Sequence, residues 1–171
     1  MKLFVNNLTV IDYSYVCHER GIVGESLIVD IELDGSLNDE CMILDFGLVK
    51  KQIKAVIDFE VDHKLLIPVN HQTVSFNLLE NNLQLLLDRP DQLPIYLHCP
   101  QEAFALIDSE VVNEDAIIAH LEVAIKAVLP ENVTGLVLKL AAEPMFGPYY
   151  HYSHGLKKHD GNCQRIAHGH R

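Results

Sequence analysis

The spacing of apolar residues changes period along the chain, and each change marks an element. Leu8 to Val16 is β-branched and aromatic, which predicts a strand. A loop through Gly21 and Gly24 follows. Leu27, Val29, Ile31 and Leu33 then alternate with Asp30, Glu32 and Asp34. That period of two predicts a strand with one wet face, ended by the Asp34-Gly35 turn. Two antiparallel strands joined by a glycine-bearing loop result.

The period then lengthens. Asp45 is placed to cap a helix running through Phe59, with Leu48, Val49, Ile53, Val56 and Ile57 on one face and Lys50, Lys51 and Lys54 outside. From His71 to Pro100 the pattern is strand-like again, around Val74–Phe76, Leu83–Leu87 and Ile95–Leu97, and predicts a hairpin or small added sheet. A second helix is predicted over 114–129. Asn113 caps it, Ile117, Ile118, Leu121, Ala124, Ile125 and Val128 form its stripe, and Pro130 stops it. Val133 to Leu140 is a last strand. The order implies an α+β domain: an antiparallel sheet with two helices on one face and an inserted strand segment near 67–112. It is complete by about residue 143.

Composition narrows the function. The chain has 171 residues, 49% apolar and 22% charged, which suits a globular fold with a real core. Its formal net charge of -11 argues against general attraction to nucleic acid or anionic lipid. No apolar run reaches the length of a membrane span. The start turns polar at Asn6-Asn7, without the pattern of a signal peptide, so a cytoplasmic protein is expected. Cys17, Cys41, Cys99 and Cys163 are widely spaced and read as free thiols.

Histidine is concentrated at one end. Of ten histidines, His151, His154, His159, His168 and His170 all fall after Tyr150. In a strand, residues i and i+2 share a face, so His168-Gly169-His170 can offer two imidazoles to one metal ion. A strand ending at His154 that folds back antiparallel would add a third. Three histidines on Zn²⁺ leave an open position, as catalytic sites do. Cys163 can serve as a base or nucleophile beside that position. Alternatively it is a fourth ligand, which would close the site into a structural one.

The arrangement His154, Cys163, His168-Gly169-His170 after an aromatic strand resembles the metal and catalytic signature of the 6-pyruvoyl/6-carboxy-tetrahydropterin synthases. Met42 through Gly47, and Asp62-His63 with the leucines after it, are similar to that family's helix start and Asp-His pair. The resemblance implies a tunnelling-type fold assembled as a homo-oligomer. It also implies Zn²⁺ and a small pterin triphosphate substrate. It makes His154, His168 and His170 the zinc ligands and Cys163 the proton carrier, with Asp62 and His63 as its relay. Glu143 would hold the pterin ring. The implied activity is a lyase step on 7,8-dihydroneopterin triphosphate giving 6-carboxy-tetrahydropterin, on the queuosine (deazapurine) route. A pyruvoyl product, or a non-catalytic pterin- or zinc-binding assembly domain, is the alternative.

The family's first hairpin is expected twice. In the copy at 8–33, Val23 and Glu25 replace both histidines of the His-Gly-His stretch, and valine cannot bind metal. The second copy starts near 146 with the histidines intact. The expected organisation is a synthase-like domain over 1–145 with a degenerate metal motif, then 146–171 as the start of a second, truncated repeat.

Overall fold

The structure, a computed structural model, describes residues 1–36, 46–150, 152–154 and 168–170, with the backbone alone at 46 and in the last two segments. Its frame is the hairpin of β1 (Lys2–Cys17) and β2 (Gly21–Gly35). Gly21 makes the hairpin possible. Its φ is +83°, and a Cβ there would stand 2.7 Å from Arg89 Nη1. Strand β8 (Val133–Ala142) pairs antiparallel with β2 on the outer side. On the other side β3 (Leu65–Pro68) runs parallel to β1, and β7 (Phe104–Ile107) parallel to β3. The five-stranded order is β7-β3-β1-β2-β8.

Alternation sorts the strands into two faces. Ile11 and Tyr13, then Leu27, Val29, Ile31 and Leu33, then Leu138 and Leu140 all turn to one side and are buried there. Helix α1 (Phe46–Glu60) lays Val49, Ile53 and Ile57 on that face, and α2 (Glu114–Lys126) lays Ile117, Leu121 and Ile125. Each is spaced four residues from the next, one helical row. Burying each such side chain contributes about 1.5–3 kcal/mol. Asn113 caps α2 by accepting the Ala116 N–H at 2.9 Å, and Glu114 and Asp115 complement the positive helix end.

The other face carries a second, three-stranded sheet of β4 (Val74–Leu78), β5 (Asn82–Leu87) and β6 (Ile95–Pro100). Leu83, Leu85 and Leu87 pack there against Val16, Leu65, Ile67 and Phe104. The α+β class, the two helices on one face and the inserted sheet agree with the sequence reading. The main sheet differs in being mixed, because β3 and β7 enter it parallel. All four residues of β3 are buried, as a strand covered on both faces requires.

Two short strands complete the described chain. Strand β9 (Tyr152–His154) pairs antiparallel with β10 (His168–His170), and the pair lies alongside β1 and β2. Among the described residues no helix is long and apolar enough to cross a membrane.

Candidate active site

Asp62 and His63 sit in the turn that follows α1. That turn is stitched to β1 by reciprocal bonds. The Asp12 N–H donates to Asp62 Oδ1 at 2.9 Å, and the His63 N–H donates to the Asp12 carbonyl at 2.8 Å. The Ser14 N–H then bonds the Lys64 carbonyl at 3.0 Å and starts the parallel pairing of β3. His63 has φ +57°, a left-handed conformation rare for a side chain of this size, and the bonds on either side hold it there. Asp62 Oδ2 lies 3.4 Å from His63 Nε2. Burial pushes the Asp62 carboxyl above its ordinary range, against the pull of the Asp12 N–H and the His63 ring. A mostly buried carboxylate against a partly exposed imidazole is a unit able to take up and release a proton.

Asp12 and Ser26 extend this cluster. The Ser26 hydroxyl donates to Asp12 Oδ1, and the two residues are paired across β1 and β2. Glu143 follows directly on the pair formed by Ala142 and Leu27, which puts it level with Ser26. Glu143 is exposed. Glu143, Ser26 and Asp12 thus form one row across β8, β2 and β1, on the face away from the helices, with Asp62 at its end. Glu143 and Asp12 stand two strand spacings apart, about 10 Å. Lys64 closes the turn from beneath. It is 7% exposed, its ammonium lies 4.7 Å from the Phe59 ring centroid, and burial pushes its pKa down.

The two ladders match rung for rung. In the first, Tyr13 pairs with Glu25, Ser14 with Gly24 and Tyr15 with Val23. In the second, Tyr152 pairs with His170, Ser153 with Gly169 and His154 with His168. The Tyr-Ser pair and the opposing glycine recur at the same register. Directly opposite residues, and residues two apart, share a face. Positions 154, 168 and 170 therefore fall on one face of the second ladder, a donor set that suits Zn²⁺ with a position left open. Their counterparts are Tyr15, Val23 and Glu25. Val23 is 7% exposed and has no donor atom, and Arg20 donates to the Tyr15 hydroxyl. Among the described residues with placed side chains, no three histidine, cysteine or carboxylate groups are arranged to hold a metal. Cys163 lies outside the described residues.

The first ladder's Tyr15, Val23 and Glu25 belong to the helix-facing set of positions. A cavity of about 340 Å³ opens there, lined by Tyr13, Tyr15, Glu25, Asn113, Glu114 and Asp115. Its acids suit no polyphosphate. The Asp62–Glu143 row lies on the opposite face. The structure thus joins Asp62 to His63, sets Glu143 in the same row, and brings the second ladder alongside the hairpin that carries Asp12 and Ser26. Asp12 and Ser26 are absent from the sequence reading. The available signal was a carboxylate in the middle of a β-branched strand, facing opposite the apolar positions Ile11 and Tyr13.

No protein-family profile matches the chain. Over 63 residues it is 40% identical to a protein of Methanocaldococcus jannaschii assigned as a 6-carboxy-5,6,7,8-tetrahydropterin synthase. That stretch is 36% of this chain and spans 38% of the relative's length. Among solved structures, the Plasmodium falciparum 6-pyruvoyl tetrahydropterin synthase superposes with a TM-score of 0.62 at 13% identity, covering 83% of this chain and 91% of that one. The Plasmodium vivax enzyme superposes with a TM-score of 0.59 at 16% identity, covering 84% and 92%. The chain therefore has the fold of the 6-pyruvoyl tetrahydropterin synthases.

Proposed function

We propose that this chain is a member of the 6-pyruvoyl/6-carboxy-tetrahydropterin synthase family and acts as a zinc-dependent lyase on 7,8-dihydroneopterin triphosphate, with 6-carboxy-tetrahydropterin as its product. The observation that carries the reading is the shared register of the two ladders, which sets three histidine positions on one face beside the hairpin that anchors Asp62 and His63. The partial identity to the archaeal relative supports the carboxy product. The solved neighbours favour the pyruvoyl product as the second reading.

The organisation follows as a synthase-like body over 1–145 and the start of a second repeat over 146–171. His154, His168 and His170 would hold the Zn²⁺. Bound there, the metal would polarise the oxygens of the substrate side chain and acidify the neighbouring C–H. Asp62 and His63 take up and return a proton on the row facing away from the helices. Cys163 moves protons at the substrate side chain. Glu143 accepts the amino and ring N–H groups of the pterin edge, a two-bond contact that fixes its orientation. The first hairpin, with Tyr15, Val23 and Glu25, supplies the frame and no metal. Subunits assemble as a homo-oligomer in the cytoplasm, on the queuosine route.

The test is product analysis by mass spectrometry with 7,8-dihydroneopterin triphosphate, using the zinc-loaded chain and its His63→Ala variant. Formation of 6-carboxy-tetrahydropterin, slowed on the order of 10²-fold in the variant, supports the reading. A pyruvoyl product selects the second reading. Zinc-loaded chain that leaves the substrate intact points to an assembly domain without turnover.

A further inference from the structure

A second cavity, of about 200 Å³, lies beyond the end of β1, between the hairpin turn, the loop after β3 and the segment before α2. It is separate from the Asp62–Glu143 row. One wall is apolar, from Pro68, Val74 and Val112. The other carries His18, Arg20 and His71. Three basic side chains on one small cavity stand out in a chain of formal charge -11.

Their geometry is fixed by Thr73 and by contacts among the lining residues themselves. His71 Nδ1 accepts the Thr73 N–H at 3.2 Å and lies 2.8 Å from the Thr73 hydroxyl. A neutral ring bonded this way carries its proton on Nε2, so that nitrogen is a donor. The His71 ring stacks on His18, with centroids 4.7 Å apart and planes 19° from parallel. Arg20 donates to the Tyr15 hydroxyl, lies over its ring at 5.8 Å and also bonds the Cys17 side chain, which leaves the rest of its five N–H donors for a ligand. The acids near the group are Glu19, 3.7 Å from His18, Glu110 on the rim, and Glu25, whose charge acts on Arg20.

We propose that this cavity binds a small carboxylate with a flat apolar body. Its oxygens meet Arg20 and His71, and its body lies against Pro68, Val74 and Val112. Guanidinium and carboxylate pair through parallel N–H bonds, and the cavity has room for about ten heavy atoms. The inserted segment supplies the apolar wall, so this site belongs to the first domain and is independent of the pterin reading.

Benzoate is the probe. The full chain is titrated while the imidazole nitrogen resonances of His18 and His71 are followed by NMR. Saturable shifts of both rings are expected. Arg20→Gln and His71→Phe should each weaken binding by about tenfold or more. Arg20 is exposed in a turn, so Arg20→Gln should melt as wild type does; His71→Phe keeps the ring stack but loses the Thr73 bonds, so it should melt somewhat lower, and its affinity is read well below its own transition. Inorganic phosphate, which has no apolar body, should bind about tenfold more weakly. Absence of saturable shifts in wild type, unchanged affinity in both variants, or equal binding of phosphate would overturn the proposal.

Discussion

The two ladders share a backbone plan and differ in what maintains it. In the first, Tyr13–Glu25, Ser14–Gly24 and Tyr15–Val23 are rungs of a long hairpin whose inner face is buried under two helices. In the second, Tyr152–His170, Ser153–Gly169 and His154–His168 repeat the same rungs in three-residue strands. A strand that rests on Ile11, Leu27 and Val29 keeps its register without a metal, and the matching positions there are tyrosine, valine and glutamate. In a three-residue ladder, hydrophobic burial can fix the register far less firmly. There the proposed zinc would both serve the chemistry and close the ladder.

That contrast can be broken in several places. The largest effect expected from the proposed function belongs to the second ladder: His168→Ala should cut turnover by on the order of 10³-fold, since several kcal/mol of charge stabilisation would leave with the proposed ion. Val23→Ala, at the matching position of the first ladder, should leave turnover within about threefold, as a change that removes no donor. Next comes the core under the first ladder. Ile57 is fully buried in the cluster that supports β1 and β2, so Ile57→Ala should cost about 2–5 kcal/mol in urea unfolding. A chelator should leave the same unfolding transition of the β1–β2 core unmoved. Equal sensitivity of that transition to chelator would mean that the first ladder also depends on metal.

Asp62→Asn separates proton chemistry from architecture. Burial raises the Asp62 pKa in the fold, so the folded state holds that proton more tightly than the unfolded chain. Its stabilising share is full below the ordinary value of 3.8 and is lost as pH rises through the raised folded value. The stability of wild type relative to Asp62→Asn should therefore decline as pH rises from about 4 through the raised folded value, and level off above it. Paired thermal melts across that range check the slope. Asparagine still accepts the Asp12 N–H, so the turn should persist while activity drops by on the order of 10²-fold. The smallest effect is at the α2 cap, where Asn113→Ala should cost about 1 kcal/mol by chemical denaturation.

How much of this was legible depends on which force dominated locally. Helix α2 was readable because its cap, stripe and stop are all sequence-local, and it ends at Lys126, within a turn of the expected place. Strand β1 starts at Lys2, six residues before the expected strand. The residue at issue is Asn7, whose φ of +53° sits at a register shift between Val5 and Thr9 and reads locally as a break. Strands β3 and β7 are four residues each, and their parallel pairing depends on partners far along the chain. Asp62-His63 was visible as an adjacent pair. Its hold on Asp12 was not, because fifty residues separate the partners. The readings at Asp45, Cys41 and Cys163 concern positions outside the described residues.

The most direct test is the zinc content per chain of wild type and of His168→Ala, each purified without chelator. About one zinc per chain in wild type, lost in the variant, is the expected result. Wild type without zinc, or a variant that keeps it, would contradict the assignment of the second ladder as the metal site.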